Sequence, residues 1–361
     1  MIQNLNEELF SFIKKSPTGF HAVHELANYL TEAGFERLAE GNTWNLAEGG
    51  KYFVTRNQSA IIAFKVSRKD YSGFHIAASH SDSPTLKIKE SSEMNIENQY
   101  VKLNVEKYGG MLCAPWFDRP LSVAGRVIVK DGNRLTTKLI NVVRGLLMIP
   151  NLAIHMNREV NDGYKYNIQK DMLPLYRMSN SGKAFKEMIA EEAGVSVDQI
   201  KGMDLFLYNR MEGTVWGCDG EFISAPRLDD LQCAFTSTMA LLNSESDRCI
   251  PVVAVFDNEE VGSGTKQGAG STFGADVLKY NVAQKYTTDA RSAAPEKAAY
   301  IYAGQIRDEL GSRLDLLEKN AYRFCYINDF PMSGTAQDLM YGAPSEITEQ
   351  QLREVHIKVR D

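Results

Sequence analysis

Two compact apolar runs, each stopping abruptly in a polar cluster, constrain the fold more than any other feature. Gly73–His80 (GFHIAASH) runs into Ser81-Asp82-Ser83-Pro84, and Pro251–Phe256 (PVVAVF) runs into Asp257-Asn258-Glu259-Glu260. Runs this short and this apolar read as strands covered on both faces. Alternated with amphipathic helices, they predict an α/β fold, a sheet with helices on both faces. Open α/β sheets bind ligands at the carboxyl ends of their strands, so the polar ends of these runs are where chemistry is expected.

The helices show in the periodicity. Leu5, Leu9, Phe12 and Ile13 form one apolar stripe, Ser16-Pro17-Thr18 breaks the chain, and Val23, Leu26, Ala27 and Leu30 form a second stripe closed by Gly34. Strands are expected at 51–55 and 59–66. From about Pro84 to Glu221 the texture changes to antiparallel strands at 100–105, 121–129 and 135–142, with turn residues such as Asp131-Gly132-Asn133 and one helix at 183–194. The α/β texture returns at Phe222, with a helix at 231–242. The expected organisation is a first catalytic part at 1–83, an inserted β-rich domain at 84–221, a second catalytic part at 222–302 and a tail at 303–361. In the tail, helices are expected at 306–317 and 346–355, around a β-rich piece at 322–327.

Composition narrows the function. Forty basic against 46 acidic residues give a net charge of −6, which leaves no excess to neutralise a nucleic-acid backbone. The longest apolar runs are too short to span a bilayer, and residues 1–15 lack the basic-then-apolar pattern of a signal peptide. Five cysteines without a CxxC fit a reduced, cytoplasmic protein.

Three clusters carry candidate chemistry. In Ser79-His80-Ser81-Asp82, a neutral imidazole can ligate zinc while a carboxylate two residues on orients it. In Pro226-Arg227-Leu228-Asp229-Asp230-Leu231, one carboxylate can bridge two metals while its neighbour caps the helix that follows. In Asp257-Asn258-Glu259-Glu260-Val261-Gly262, one glutamate can bind metal while the other acts as general base. Each cluster alone has an ordinary explanation: a hydrogen-bonded turn, a helix cap, a solvated acidic loop. Together, one His, one Asp and one Glu with a spare Glu make the parts list of a zinc hydrolase. The glycine-rich loop 262–270 has neither phosphate-binding spacing, and no GxSxG elbow is present.

SHSDSP, PRLDDL and DNEEVGS, in this order, resemble the M18 metallo-aminopeptidases of the aspartyl aminopeptidase type. SPTGFHAV, YGGMLCAPWFDRPLSVAGRV, PNLAIHMNREVNDGYKYNIQKDMLPL and DLFLYNR extend the resemblance over about residues 1–294. It implies a two-zinc α/β domain interrupted by a β-rich dimerisation domain, acting on peptide substrates to remove N-terminal, acidic or neutral, residues. It implies that His80 and Glu260 bind zinc, Asp229 bridges the ions, Glu259 is the general base and Asp82 supports His80. It also implies that His155 is lent to the active site of a neighbouring subunit, and that dimers build a larger homo-oligomer.

Two ligands of the resembled family have no counterpart here. An Asp expected between the glycine-rich loop and the KYN-x-x-QKYTTD stretch is missing, because Gly270-Ser271-Thr272-Phe273 runs almost directly into Lys279-Tyr280-Asn281. A His in an MHS-type motif is also missing. Asp276, Asp289 and His356 are the acidic and histidine residues considered as replacements, without supporting spacing. The tail from about Ala303 resembles a fragment of bacterial aspartyl-tRNA synthetase without its ATP-gripping motifs. Three of five expected zinc ligands remain, so weak or lost turnover is expected, with a non-catalytic dimerising protein as the alternative.

Overall fold

The structure is a computed structural model that describes residues 2–67, 71, 73–246 and 248–286. In chain order it contains α1 (Ile2–Lys15), α2 (Gly19–Glu32), β1 (Glu36–Leu38), β2 (Lys51–Arg56), β3 (Ala60–Lys65), β4 (Gly73–His80), β5 (Thr85–Ile96), β6 (Tyr100–Tyr108), β7 (Leu121–Asp131) and β8 (Arg134–Asn141). There follow α3 (Ile168–Asp171), β9 (Leu175–Met178), α4 (Phe185–Ala193), β10 (Ile200–Asn209), β11 (Thr214–Trp216), β12 (Phe222–Ser224), α5 (Leu228–Asn243), β13 (Cys249–Phe256) and α6 (Phe273–Tyr286).

Five strands form one sheet in the order β1-β2-β3-β13-β4. It is α/β with helices on both faces, but mixed: β13 runs parallel to β4 and antiparallel to β3. The alternation of β13 explains the two layers. Val253 and Val255 face Phe12 of α1, Leu26 of α2 and Phe235 of α5. Val252 and Ala254 face Phe273, Val277 and Leu278 of α6. On the first face the Phe12 and Phe235 rings stack at 5.5 Å.

Six strands form a second sheet in the order β8-β7-β10-β5-β6-β9, antiparallel throughout, with α4 packed on it through Phe185 and Ile189. Gly125 shows how tightly it is built: a Cβ there would lie 2.0 Å from the Asp204 carbonyl oxygen. Arg126 joins the sheets, donating to the Asn57 carbonyl at 2.8 Å while its guanidinium lies 4.2 Å over the Phe20 ring. β5 and β10, for which the sequence pattern predicts no strand, pair through the middle of this sheet. The tail segments at 306–317, 322–327 and 346–355, and the residues Asp289 and His356, lie outside the described residues.

Candidate metal centre

β4 and β13 are parallel neighbours in register Phe256 with His80, so both polar clusters emerge at the same sheet end. α5 delivers the third. Arg227 takes a left-handed φ of 59° and donates to the Ile13 and Ser16 carbonyls at 3.0 and 3.2 Å. That tie to the end of α1 holds Asp229 and Asp230, which have non-helical dihedrals, against the end of β4.

His80 is the centre of the site. Its Nδ1 lies 3.3 Å from Asp82 Oδ1 and its Nε2 lies 3.3 Å from Asp229 Oδ1. Asp230 Oδ2 and Glu259 Oε2 are each 3.9 Å from the same Nε2. Ligand atoms of His80, Glu259 and Glu260 all lie within 4.8 Å of one another. His80 and Asp82 are buried, whereas the side chains of Asp229 and Glu259 are 73% and 55% exposed. The donors thus line a cup with a buried floor and an open mouth.

Asp82 fastens the floor. Its Oδ1 accepts the Glu259 backbone N–H at 3.2 Å, and its Oδ2 accepts the Glu260 N–H at 3.2 Å and the Tyr108 hydroxyl at 2.7 Å. The buried carboxylate of Asp230, at the start of α5, also accepts the His80 backbone N–H at 3.1 Å and so anchors the end of β4.

The electrostatics follow from this crowding. Burial works against a charged His80, but hydrogen bonds to Asp229 and Asp82 and the charge of Asp230 outweigh it and push the imidazole up to about 11. Burial, reinforced by the charges of Asp82, Glu259 and Asp229 against the opposing His80, pushes Glu260 up to about 7. The His80 hydrogen bond holds Asp229 below the usual carboxylate range. Such a cluster attracts a cation, and without one His80 carries the positive charge itself.

The donor set fits zinc. Zn–N and Zn–O bonds of about 2.0–2.2 Å at tetrahedral angles separate two ligand atoms by roughly 3.3 Å. The His80 Nε2 to Asp229 Oδ1 separation is 3.3 Å. Asp82 at Nδ1 leaves Nε2 for a metal, the usual carboxylate–histidine arrangement.

The sequence-derived candidates His80, Asp82, Asp229, Glu259 and Glu260 meet here. His155 does not join them within this chain; it sits exposed in a turn among exposed Leu152, Ile154 and Met156. Asp276 is engaged elsewhere, 3.3 Å from Arg56 and accepting from Thr272 at 2.7 Å. Tyr108 and Asn258 also reach the site; they lie in the stretches YGGMLCAPWFDRPLSVAGRV and DNEEVGS respectively, where the sequence assigns neither a role. Tyr108 comes from the other sheet, and Asn258 has the character of loop filler beside three acids.

A histidine held by one carboxylate and ringed by others at the end of parallel strands defines a metal-binding α/β protein. The chain belongs to the M18 peptidase family: the family model described as Aminopeptidase I zinc metalloprotease (M18) matches residues 12–305. It is 48% identical over 282 residues to a probable M18 family aminopeptidase 2 of Clostridium acetobutylicum, a match covering 76% of this chain and 65% of that protein. The chain thus spans less than two thirds of the length of that relative. Among solved structures, mApe1 of Chaetomium thermophilum superposes with a TM-score of 0.74 at 33% identity, covering 82% of this chain and 72% of that one. The S. cerevisiae mApe1 dodecamer gives 0.68 at 26% identity, covering 81% and 68%.

Proposed function

We propose that the chain is a zinc-dependent aminopeptidase that releases N-terminal residues from peptides, with turnover limited by an incomplete ligand set. The observation that carries this reading is His80, whose Nδ1 is held by Asp82 while its Nε2 faces Asp229 and Glu259. His80 and Glu260 would hold zinc, and Asp229, with its exposed carboxylate, would be the ligand shared between ions where two are bound. When bound, zinc lowers the pKa of water towards 7 and polarises the scissile carbonyl. Glu259 takes a proton from the attacking water and delivers it to the leaving amine. Asp82 keeps the His80 ring oriented throughout.

A preference for acidic N-terminal residues rests on the resemblance of the three clusters to the aspartyl type. A homo-oligomer is supported by the dodecameric relative and by the exposed apolar residues around His155, which would serve a neighbouring subunit. The reading divides the chain into a catalytic unit, 1–83 with 222–302, and a dimerising insert, 84–221. Free thiols at Cys113 and Cys218 fit a cytoplasmic setting.

The test is turnover of peptides with N-terminal Asp or Glu after dialysis against trace zinc. Glu259→Gln should lower kcat/KM by about 10²–10⁴ while leaving zinc content unchanged. Unchanged activity in that variant would reject the assignment. Zinc content near zero in the unmutated chain would favour the second reading, a dimerising protein without catalysis, which the small number of ligands among the described residues supports.

A further inference from the structure

Tyr108 closes the six-stranded sheet's strand β6, yet its hydroxyl ends in the metal centre on the other sheet. The hydroxyl accepts a hydrogen bond from Asn258 Nδ2 at 2.8 Å and donates one to Asp82 Oδ2 at 2.7 Å. Its direction is fixed, because the Asn258 amide N–H can only donate and the Asp82 carboxylate, when charged, can only accept. Asn258 is set in turn by Gln267 Nε2 and Thr265 Oγ1, which donate to its Oδ1 at 2.8 and 2.7 Å. Donation therefore runs one way from the glycine-rich loop through Asn258 and Tyr108 to Asp82, whose carboxylate accepts from His80 Nδ1 on its other side.

Three further contacts hold Tyr108 in place. Its ring meets Phe206 of β10 edge-on at 5.7 Å. Thr85, directly after the SHSDSP cluster, pairs with it across the sheet. The next residue, Gly109, has φ +76°, and a Cβ there would lie 2.8 Å from Glu260 Cβ, so the backbone beside Tyr108 runs against a candidate ligand.

We propose that Tyr108 is a positioning residue for the metal centre, through which the six-stranded sheet sets the orientation of Asp82 and hence of His80. This rests on the metal-centre reading above. The hydroxyl occupies one side of Asp82 and leaves Oδ1 for the imidazole, so Nε2 is presented to the metal in one orientation. Removing the hydroxyl takes away the shortest hydrogen bond to the carboxylate and leaves only the Glu259 and Glu260 N–H groups to hold it, so its orientation, and with it that of the imidazole, loosens.

The experiment is Co(II) binding to the full chain, followed by visible absorption and by competition with a chelator. Tyr108→Phe keeps the ring and its contact with Phe206. It should melt within a few degrees of the unmutated chain yet bind Co(II) about 10–100-fold more weakly, with a shifted absorption band. Asn258→Ala removes the donor upstream of the hydroxyl and should weaken Co(II) binding severalfold; it carries the test if Tyr108→Phe does not fold. Unchanged affinity and spectrum in the folded variants, while the unmutated chain binds Co(II), would overturn the role of Tyr108 and leave the metal centre standing. An unmutated chain that binds no Co(II) would overturn the metal centre itself, and this inference with it.

Discussion

The two sheets treat their edges differently. In the six-stranded sheet both edges are guarded. β8 carries exposed Arg134 and Lys138, and β9 is only four residues long and includes Arg177. Charged or short edge strands resist pairing with another chain. In the five-stranded sheet, β4 is an edge among the described residues, and it is eight residues long without Lys, Arg, Asp or Glu. Ile76 and Ala78 are exposed on it, on the face that α6 covers elsewhere. A strand of that composition belongs inside a sheet. The difference teaches that the six-stranded sheet guards both its edges, while the five-stranded sheet, among the described residues, ends in an unguarded strand that carries His80 of the candidate metal centre.

The most damaging way to probe this contrast is to empty each core. Phe185 is fully buried in the six-stranded sheet's cluster, and Phe185→Ala should cost about 3–5 kcal/mol. Phe74 of β4 is only partly buried, and Phe74→Ala should cost about 1–2 kcal/mol. Denaturant titration of both variants measures the gap. Equal costs would mean that β4 is covered as fully as the inserted sheet's core.

What the sequence disclosed follows the same division. α1, α2, β4 and β13 are legible because each is a clean apolar stripe or run. β5 and β10 are not, because both are irregular: register shifts interrupt β5 between Ile88 and Glu93, and β10 between Ile200 and Gly202, and polar residues fill the β5 interruption. At the metal centre, the meeting of His80 with Asp82 follows from a spacing of two. The role of Asp230 does not, since an acid at a helix start ordinarily caps that helix, and here it reaches back 150 positions to the His80 N–H. The role of Tyr108 is invisible for a related reason: its partner Asn258 lies 150 residues on, and only the docking of two sheets joins them.

The charge distribution gives a second contrast. On the six-stranded sheet Asp204 is matched by Lys87 at 3.1 Å and Arg126 at 3.0 Å, and these hold it below the usual carboxylate range against the cost of burial. At the metal centre several carboxylates share one imidazole. His80 is raised to about 11, so its contribution to stability is full below its ordinary 6.5 and is lost as pH rises towards 11. Glu260 is raised from 4.5 to about 7, so stability also falls as pH climbs through that window. On the proposed assignment of His80 and Glu260 as ligands, zinc displaces both protons, and its affinity moves the other way, rising up to about tenfold per pH unit for each proton released. Chelator competition between pH 6 and 9 measures this rise. A flat profile would mean that the cluster is not the zinc site.

The smallest effect is the most informative about β4. Ile76 is 37% exposed, so Ile76→Lys should change stability by no more than about 0.5 kcal/mol if nothing covers it. The same substitution puts a charge on an apolar, unguarded edge and should lower concentration-dependent association, read by light scattering. A loss of several kcal/mol would show instead that Ile76 is buried in the full chain. The open edge would then be closed by residues beyond Tyr286 or by a second copy, which light scattering of the unmutated chain tells apart. The two results separate an open edge from a covered one for the strand that ends in His80, and so say whether the candidate metal centre stands on a completed sheet.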